Sequence, residues 1–462
     1  MGVVFFLSSA YREISIPYDL MGMEQITVFF TDHLVKGQPL YENFCNFPYL
    51  INPYPPVYFF ITALIAKLCG IQSFFNLLVL SRLLTLAATL LAAFAIFKIS
   101  RRLQCNNIVS GMASLIFLAN PLLYRLGYVG RSDMIACLFS LLAIYSILKG
   151  RRGLYFYLSV IFALLAIYSR QQYISVFISI VIYLLCTHQR KQAIKFTAYY
   201  LSVGLAFFIW LNYITNGSAY LNLVIANIGS FDPSNSQVIW FFMLSLLPSN
   251  LILIVLAMFI LKREYVLLKA YVLFSFIMVV VTSLKVGGGG PNYWLEVLAI
   301  SAVMSGPIIE RILFYRKRNL IYLMLFSILL FPYVRYSIAW LRGRFAAEDF
   351  YEREALVKFI RNIKGYVWYD LSLDVFILAD KPVVNTAWTS YGLLVRRGRC
   401  DDSFLVSMLK DKKFGCIIFY IPPDRQRLKG PKYLTENMQR AIDNNYVLHK
   451  KAKEYWLFLP SD

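Results

Sequence analysis

The sequence predicts a polytopic α-helical membrane protein of about 10–11 transmembrane helices, with a small extracytoplasmic α/β domain at its C-terminal end. Three observations predict it. Of 462 residues, 59% are apolar and only 15% are charged, against roughly 45–50% and 25% in soluble domains. The apolar residues gather in runs matched to a hydrocarbon core about 30 Å thick. The loops between those runs alternate between strongly and weakly basic. An ordinary soluble enzyme and a disordered chain are excluded on composition.

The apolar runs read as spans at 74–100, 104–123, 134–148, 154–168, 173–186, 196–213, 237–260, 267–284, 294–309 and 319–337. One set of connecting loops holds Lys98/Arg101/Arg102, Lys149/Arg151/Arg152, Arg190/Lys191/Lys195, Lys262/Arg263/Lys269 and Arg311/Arg316/Lys317/Arg318. The opposite set holds only Arg125, Arg131, Arg170 and Lys285. The positive-inside rule makes the first set cytoplasmic. Ten crossings then place residues 11–73 and 338–462 together on the outer side. The net charge of +21 has its source in these loops, so no nucleic-acid partner is inferred. Residues 1–10 are apolar but too short to span, and read as the stub of a first helix. Residues 57–69 read as a helix lying in or dipping into the membrane.

Two domains follow: a transmembrane domain over 1–337, including the outer first loop 11–73, and an extracytoplasmic α/β domain over 338–462. In the second, strands are expected at Tyr366–Tyr369, Val383–Val384, Cys416–Ile421 and Trp456–Leu459, with helical stretches at 374–379, 403–411 and 433–444. Cys400 and Cys416 are read as two free thiols, with a mutual disulfide as the alternative. The scattered cysteines and three distant histidines give little support for a zinc site.

Only ten acids occur before residue 338, and five of them lie in the first outer segment: Glu13, Asp19, Glu24, Asp32 and Glu42. A sixth, Asp133, opens a span from the outer side. Carboxylates at a membrane face are costly unless solvated, paired or functional. Asp19 is the best candidate for function, among apolar neighbours suited to tuning a base; Glu24 and Asp133 are even. Several cations stand where a phosphate at headgroup level would lie. Arg82 is about eight residues inside the first span, where arginines are rare and usually paired or ligand-bound. Arg131 is expected either to pair with Asp133 or to meet phosphate. Arg170 lies on a short outer turn, and Lys285 precedes four glycines that allow close backbone approach. Departure of a lipid phosphate needs fixed positive charge, and an acceptor hydroxyl needs a carboxylate to take its proton.

At these residues the chain resembles the GT-C glycosyltransferases, in particular bacterial family-39-like members related to protein mannosyltransferases and the lipid A aminoarabinose transferase. The matching segments are the Asp19 loop, Lys36–Tyr41, Asn52–Tyr58, Ser81–Leu83, Gly130–Asp133, Ser169–Gln172, Lys285–Tyr293, and Trp368–Asp370 through Ala379–Pro382. The resemblance implies a polyprenyl-phosphate-sugar donor and inverting transfer to a lipid, glycan or protein acceptor. It places this chemistry on the extracytoplasmic face of a bacterial inner membrane. It implies Asp19 as base, Glu24 or Asp133 as second acid, and Arg82, Arg170 and Lys285 on the donor phosphate, with Arg131 beside them. Tyr54, Asn292 and Tyr293 are expected to line the substrate cavity. A departure is that Leu20, not an acid, follows Asp19. A divalent ion, Mg or Mn, on Asp19, Glu24 and Asp133 stands as an alternative to an Arg131–Asp133 charge pair. A transporter or flippase of a lipid-linked sugar and a surface-glycan polymerase or ligase are the competing functions.

Overall fold

The computed structural model describes residues 2–20, 24–228, 231, 233, 236–237, 239–241, 248–261, 265–285, 290–314, 347–369, 373–419, 434–451 and 455–462. The expected span 319–337 and the expected boundary at 337/338 lie outside them.

Helices begin where side chains satisfy the first free N–H groups. Ser73 accepts from Asn76 to start the helix Phe74–Arg102, and Asn106 accepts from Val109 to start Asn107–Leu118. Asn120 caps Pro121–Leu126, whose proline stands where a missing N–H costs nothing. Helices Asp133–Lys149, Leu154–Ile167, Ile174–Cys186, Arg190–Ile214, Pro248–Ile260, Val266–Ser283 and Leu295–Phe314 follow. Among the described residues, four helices are long and apolar enough to cross a membrane: Phe74–Arg102, Arg190–Ile214, Val266–Ser283 and Pro291–Arg311. Shorter apolar helices occupy most of the other expected spans. The chain is an integral membrane protein.

Hydroxyls inside the apolar helices bond back one turn, as Thr85 does to the Ser81 carbonyl and Ser81 to that of Leu77, so the helices carry few orphaned polar atoms. Others tie helices together: Thr89 donates to the Gly127 carbonyl and Ser159 to that of Ala143. Ala136, Ala143, Ala163 and Ala166 are fully buried where Asp133–Lys149 packs on Leu154–Ile167, small residues that let backbones approach. Leu90, Leu91 and Phe94 of one helix and Leu201, Leu205 and Ile209 of another are exposed. These apolar flanks suit hydrocarbon.

Residues Gly2–Glu13, Glu24–Val35 and Val57–Leu68 form three twelve-residue helices, each about 18 Å long and too short to span alone.

The C-terminal region carries a four-stranded sheet in the order β1-β2-β4-β3, with β1 Tyr366–Tyr369, β2 Phe414–Phe419, β3 Tyr446–Lys451 and β4 Trp456–Pro460. β1 runs parallel to β2, while β2–β4 and β4–β3 are antiparallel. The expected strand at Val383–Val384 is instead an irregular segment. Its Val384 carbonyl accepts the Tyr49 N–H at 3.0 Å. Thr386 Oγ1 likewise bonds both Ile51 backbone groups. Phe44, Tyr49 and Ile51 of the first loop therefore enter the core of this domain, beside the stacked Trp368 and Trp388 rings.

The thiol expectation is corrected. Cys400 forms a disulfide with Cys45, 355 residues away, while Cys416 is free and buried in β2. A central strand holds Cys416 inside the sheet, and the first loop brings Cys45 to Cys400. Cys45→Ser and Cys400→Ser are each expected to slow migration on a non-reducing gel, and Cys416→Ser to leave it unchanged. Full maleimide labelling of Cys45 and Cys400 in the unreduced protein would contradict the link.

Candidate active site

A buried ion pair organises the first loop. Glu24 and Arg82 are both fully buried. Arg82 Nε donates to Glu24 Oε1 at 2.8 Å and Nη2 to Oε2 at 2.6 Å. The rest of the guanidinium is spent on carbonyls: Nη1 donates to Glu13, Ile14 and Ile16, and Nη2 to Tyr18. The carboxylate reaches two more segments. Oε1 accepts the Gly130 N–H at 2.6 Å, and Oε2 the Leu20 N–H at 3.4 Å. Gly130 is needed here, since a Cβ would lie 2.8 Å from that of Ser81 and 3.2 Å from Glu24 Oε1. The loop that carries Asp19 and the turn that leads to Asp133 are thus registered on one carboxylate.

This geometry gives Arg82 and Glu24 a different place from the expected one. Arg82 was expected on a donor phosphate and Glu24 as a second acid. Each instead uses the other as its counter-ion, and the arginine's remaining donors close a backbone turn.

The second cluster centres on Asp133, the first residue of its helix. Its Oδ2 accepts from Arg131 Nε at 3.0 Å. Its Oδ1 lies 3.2 Å from Arg170 Nε and accepts from Asn292 Nδ2 at 3.0 Å. Tyr173 Oη donates to its carbonyl. The Arg170 guanidinium lies 4.8 Å from the Tyr54 ring centre and 5.7 Å from that of Tyr293. Side-chain exposure is 10% for Arg131, 8% for Arg170 and 4% for Asp133. Two arginines against one carboxylate leave a net charge of +1 in a shielded place.

Both arginines approach Asp133 through Nε. Among the described residues, the Arg131 Nη nitrogens meet no hydrogen-bond acceptor, and the Arg170 guanidinium lies beside the Tyr54 and Tyr293 rings, with Tyr54 also a hydrogen-bond partner. This contrasts with Arg82, whose donors are all engaged. Lys285 stands at the edge of the cluster. Its Nζ donates to the Asn227 carbonyl at 3.3 Å, and Asn227 and Gln171 both donate to the Pro53 carbonyl next to Tyr54.

Six expected residues therefore gather at one point: Arg131, Asp133, Arg170, Tyr54, Asn292 and Tyr293. Asp19 lies on the neighbouring first loop and is buried. Its backbone N–H donates to Asp374 and its carbonyl accepts from Arg353, two residues that the sequence alone does not single out. Burial, with the nearby Glu354 and Asp374 carboxylates, holds the adjacent Tyr18 phenol above its ordinary range.

The expected metal site does not fit. Among the described residues, no three carboxylate, imidazole or thiol groups converge on one point. Glu24 and Asp133 each direct their oxygens at guanidinium donors. No metal chemistry follows from these residues.

Comparison with known proteins agrees with this architecture. The fold is similar to that of solved GT-C glycosyltransferases. Residues 53–214 match the family described as dolichyl-phosphate-mannose-protein mannosyltransferase. By structure, the chain is similar to ArnT from Cupriavidus metallidurans, solved bound to undecaprenyl phosphate, with a TM-score of 0.62 at 11% identity over 99% of this chain and 97% of that one. It is also similar to the oligosaccharyltransferase AglB from Archaeoglobus fulgidus, solved with an inhibitory peptide and a dolichol-phosphate. There the TM-score is 0.52 at 12% identity, over 100% of this chain and 74% of that one. No curated protein matches by sequence.

Proposed function

We propose that the chain is a glycosyltransferase that moves a hexosyl or pentosyl group from a polyprenyl-phosphate donor to a lipid, glycan or protein acceptor, with inversion. One observation carries this reading: two buried arginines share one carboxylate, which leaves a net positive charge in a shielded place. A phosphate monoester leaving group gains negative charge as its bond to the anomeric carbon breaks, and fixed cations lower that barrier. Arg131 and Arg170 supply the charge, with Lys285 at the edge. Asp133 and Asn292 orient the arginines. Tyr54 and Tyr293 give the sugar and phosphate flat walls.

The acceptor oxygen attacks the anomeric carbon from the opposite side and passes its proton to Asp19. Polyprenyl phosphate leaves. Glu24 is committed to Arg82, and Asp133 to two arginines and an amide, so neither of these two carboxylates is placed to take that proton. The Cys45–Cys400 disulfide, which belongs in an oxidising compartment, and the basic loops at the opposite helix ends support an extracytoplasmic active face on a bacterial plasma membrane.

The test is turnover of a panel of polyprenyl-phosphate hexoses and pentoses by the purified chain in liposomes. The expected products are polyprenyl phosphate and a new glycoside. Movement of intact donor with no glycoside formed would overturn the reading in favour of transport. Arg170→Ala and Arg131→Ala each leave Asp133 one arginine, so both are expected to fold. Each is expected to weaken undecaprenyl phosphate binding by about tenfold to a hundredfold. That range is the loss of one charge-assisted hydrogen bond, about 1.5–3 kcal/mol. Unchanged affinity in both would remove the phosphate from this site.

A further inference from the structure

The first loop is gripped at a second point, and that grip comes from the C-terminal domain. Asp374, fully buried, opens the short helix Asp374–Leu378. Its Oδ2 accepts the Asp19 N–H at 3.1 Å and Arg353 Nη1 at 3.2 Å. Its Oδ1 accepts the Val375 N–H at 2.8 Å, which fixes the carboxylate plane. Arg353, on the helix Ala347–Arg361, also donates to the Asp19 carbonyl at 3.4 Å and covers the Tyr18 ring at 5.8 Å. One ion pair, more than 300 residues away in sequence, thus binds both backbone groups of Asp19. The Glu24–Arg82 pair binds the residues on either side, Tyr18 through its carbonyl and Leu20 through its N–H.

We propose that Arg353 and Asp374 are positioning residues for the Asp19 carboxylate, so that the C-terminal domain completes the active-site loop. The proposal rests on the reading of Asp19 as the base. Holding the N–H and C=O of one residue fixes the direction of its Cα–Cβ bond, and with it the approach of the carboxylate to an acceptor hydroxyl. An error of about 1 Å in such a group costs on the order of a hundredfold in rate.

The experiment compares wild type, Asp374→Ala, Asp374→Asn, Arg353→Ala and Asp19→Asn in the full chain. Arg353 is 37% exposed, so its replacement keeps the test open if Asp374→Ala fails to fold. Two quantities are read. The first is hydrogen exchange of a peptide covering residues 14–20. The second is kcat and donor KM for hydrolysis of the polyprenyl-phosphate sugar turned over in the panel, with water as acceptor.

Exchange is expected to be at least tenfold faster in Asp374→Ala and Arg353→Ala. kcat is expected to fall about a hundredfold with donor KM within twofold, and Asp374→Asn, which keeps an oxygen for the Asp19 N–H, to recover about tenfold. Exchange at the wild-type rate overturns the grip. Faster exchange with unchanged kcat, or equal losses in kcat, donor affinity and melting temperature, overturns the positioning role. If Asp19→Asn retains turnover, the base reading fails and takes the positioning role with it, while exchange still decides the grip. A chain that turns over no donor overturns both readings.

Discussion

Replacing Arg82 with alanine is expected to leave little or no folded protein, while Arg170→Ala folds. Both are buried arginines that the sequence offers equally as phosphate ligands, and acceptor number separates them. Arg82 serves both oxygens of Glu24 and four carbonyls. Its removal strands a fully buried carboxylate with two backbone N–H groups, Gly130 and Leu20, as its remaining donors. Breaking a buried pair costs about 3–5 kcal/mol, and the part-buried Ile14, Ile16 and Tyr18 carbonyls lose the guanidinium as a donor as well. That loss competes with a whole domain's stability of about 5–15 kcal/mol. Arg82→Lys is expected to be partly rescued, since an ammonium keeps the charge but has three donors for six acceptors. Size-exclusion profiles and melting temperatures in detergent provide the check. An Arg82→Ala protein that melts like wild type and binds undecaprenyl phosphate tenfold more weakly would return Arg82 to the phosphate.

The two arginines also show where reading a sequence stops. Charge inside an apolar run or at its outer edge is legible, and it singles out Arg82 within a span and Arg131, Asp133 and Arg170 at the outer edges because charge is costly at a membrane face. Whether such a charge is spent inside the protein or held for a ligand depends on acceptors brought up by other segments. The turn at Glu13–Tyr18 and the Gly130 N–H carry no sequence mark that points to Arg82 or Glu24. The spanning helices are legible for the opposite reason: burying a helix in hydrocarbon constrains every residue of a run, and start signals such as Ser73 and Asn106 add local detail. The small domain is harder. β3 carries Leu448 and Lys450 on exposed positions with no alternation to betray a strand. The partner of Cys400 lies 355 residues away, a pairing that only the docked first loop creates. Asp374 and Arg353 stay hidden because an acid and a base in a charged domain are unremarkable until Asp19 is found between them.

Asp19→Asn is expected to lower turnover by about a hundredfold to ten-thousandfold, the range that a positioned general base contributes. Folding and undecaprenyl phosphate affinity should be unchanged. The grip on this residue runs through its own N–H and carbonyl, to Asp374 and Arg353, and the substitution keeps both. It also keeps the size of a buried side chain and leaves the Glu24–Arg82 pair untouched. What it removes is the capacity to take a proton from an acceptor hydroxyl. The anion site sits across the Gly130 turn, with its charge set by Arg131, Arg170 and Asp133, so binding of the spent carrier should not register the change. The effect should fall on kcat at saturating donor. Retained turnover would reject Asp19 as base. A joint loss of turnover, carrier binding and melting temperature would make it a structural acid. In either case, with Glu24 and Asp133 both held by arginines, the proton would have to pass to a group other than these three acids.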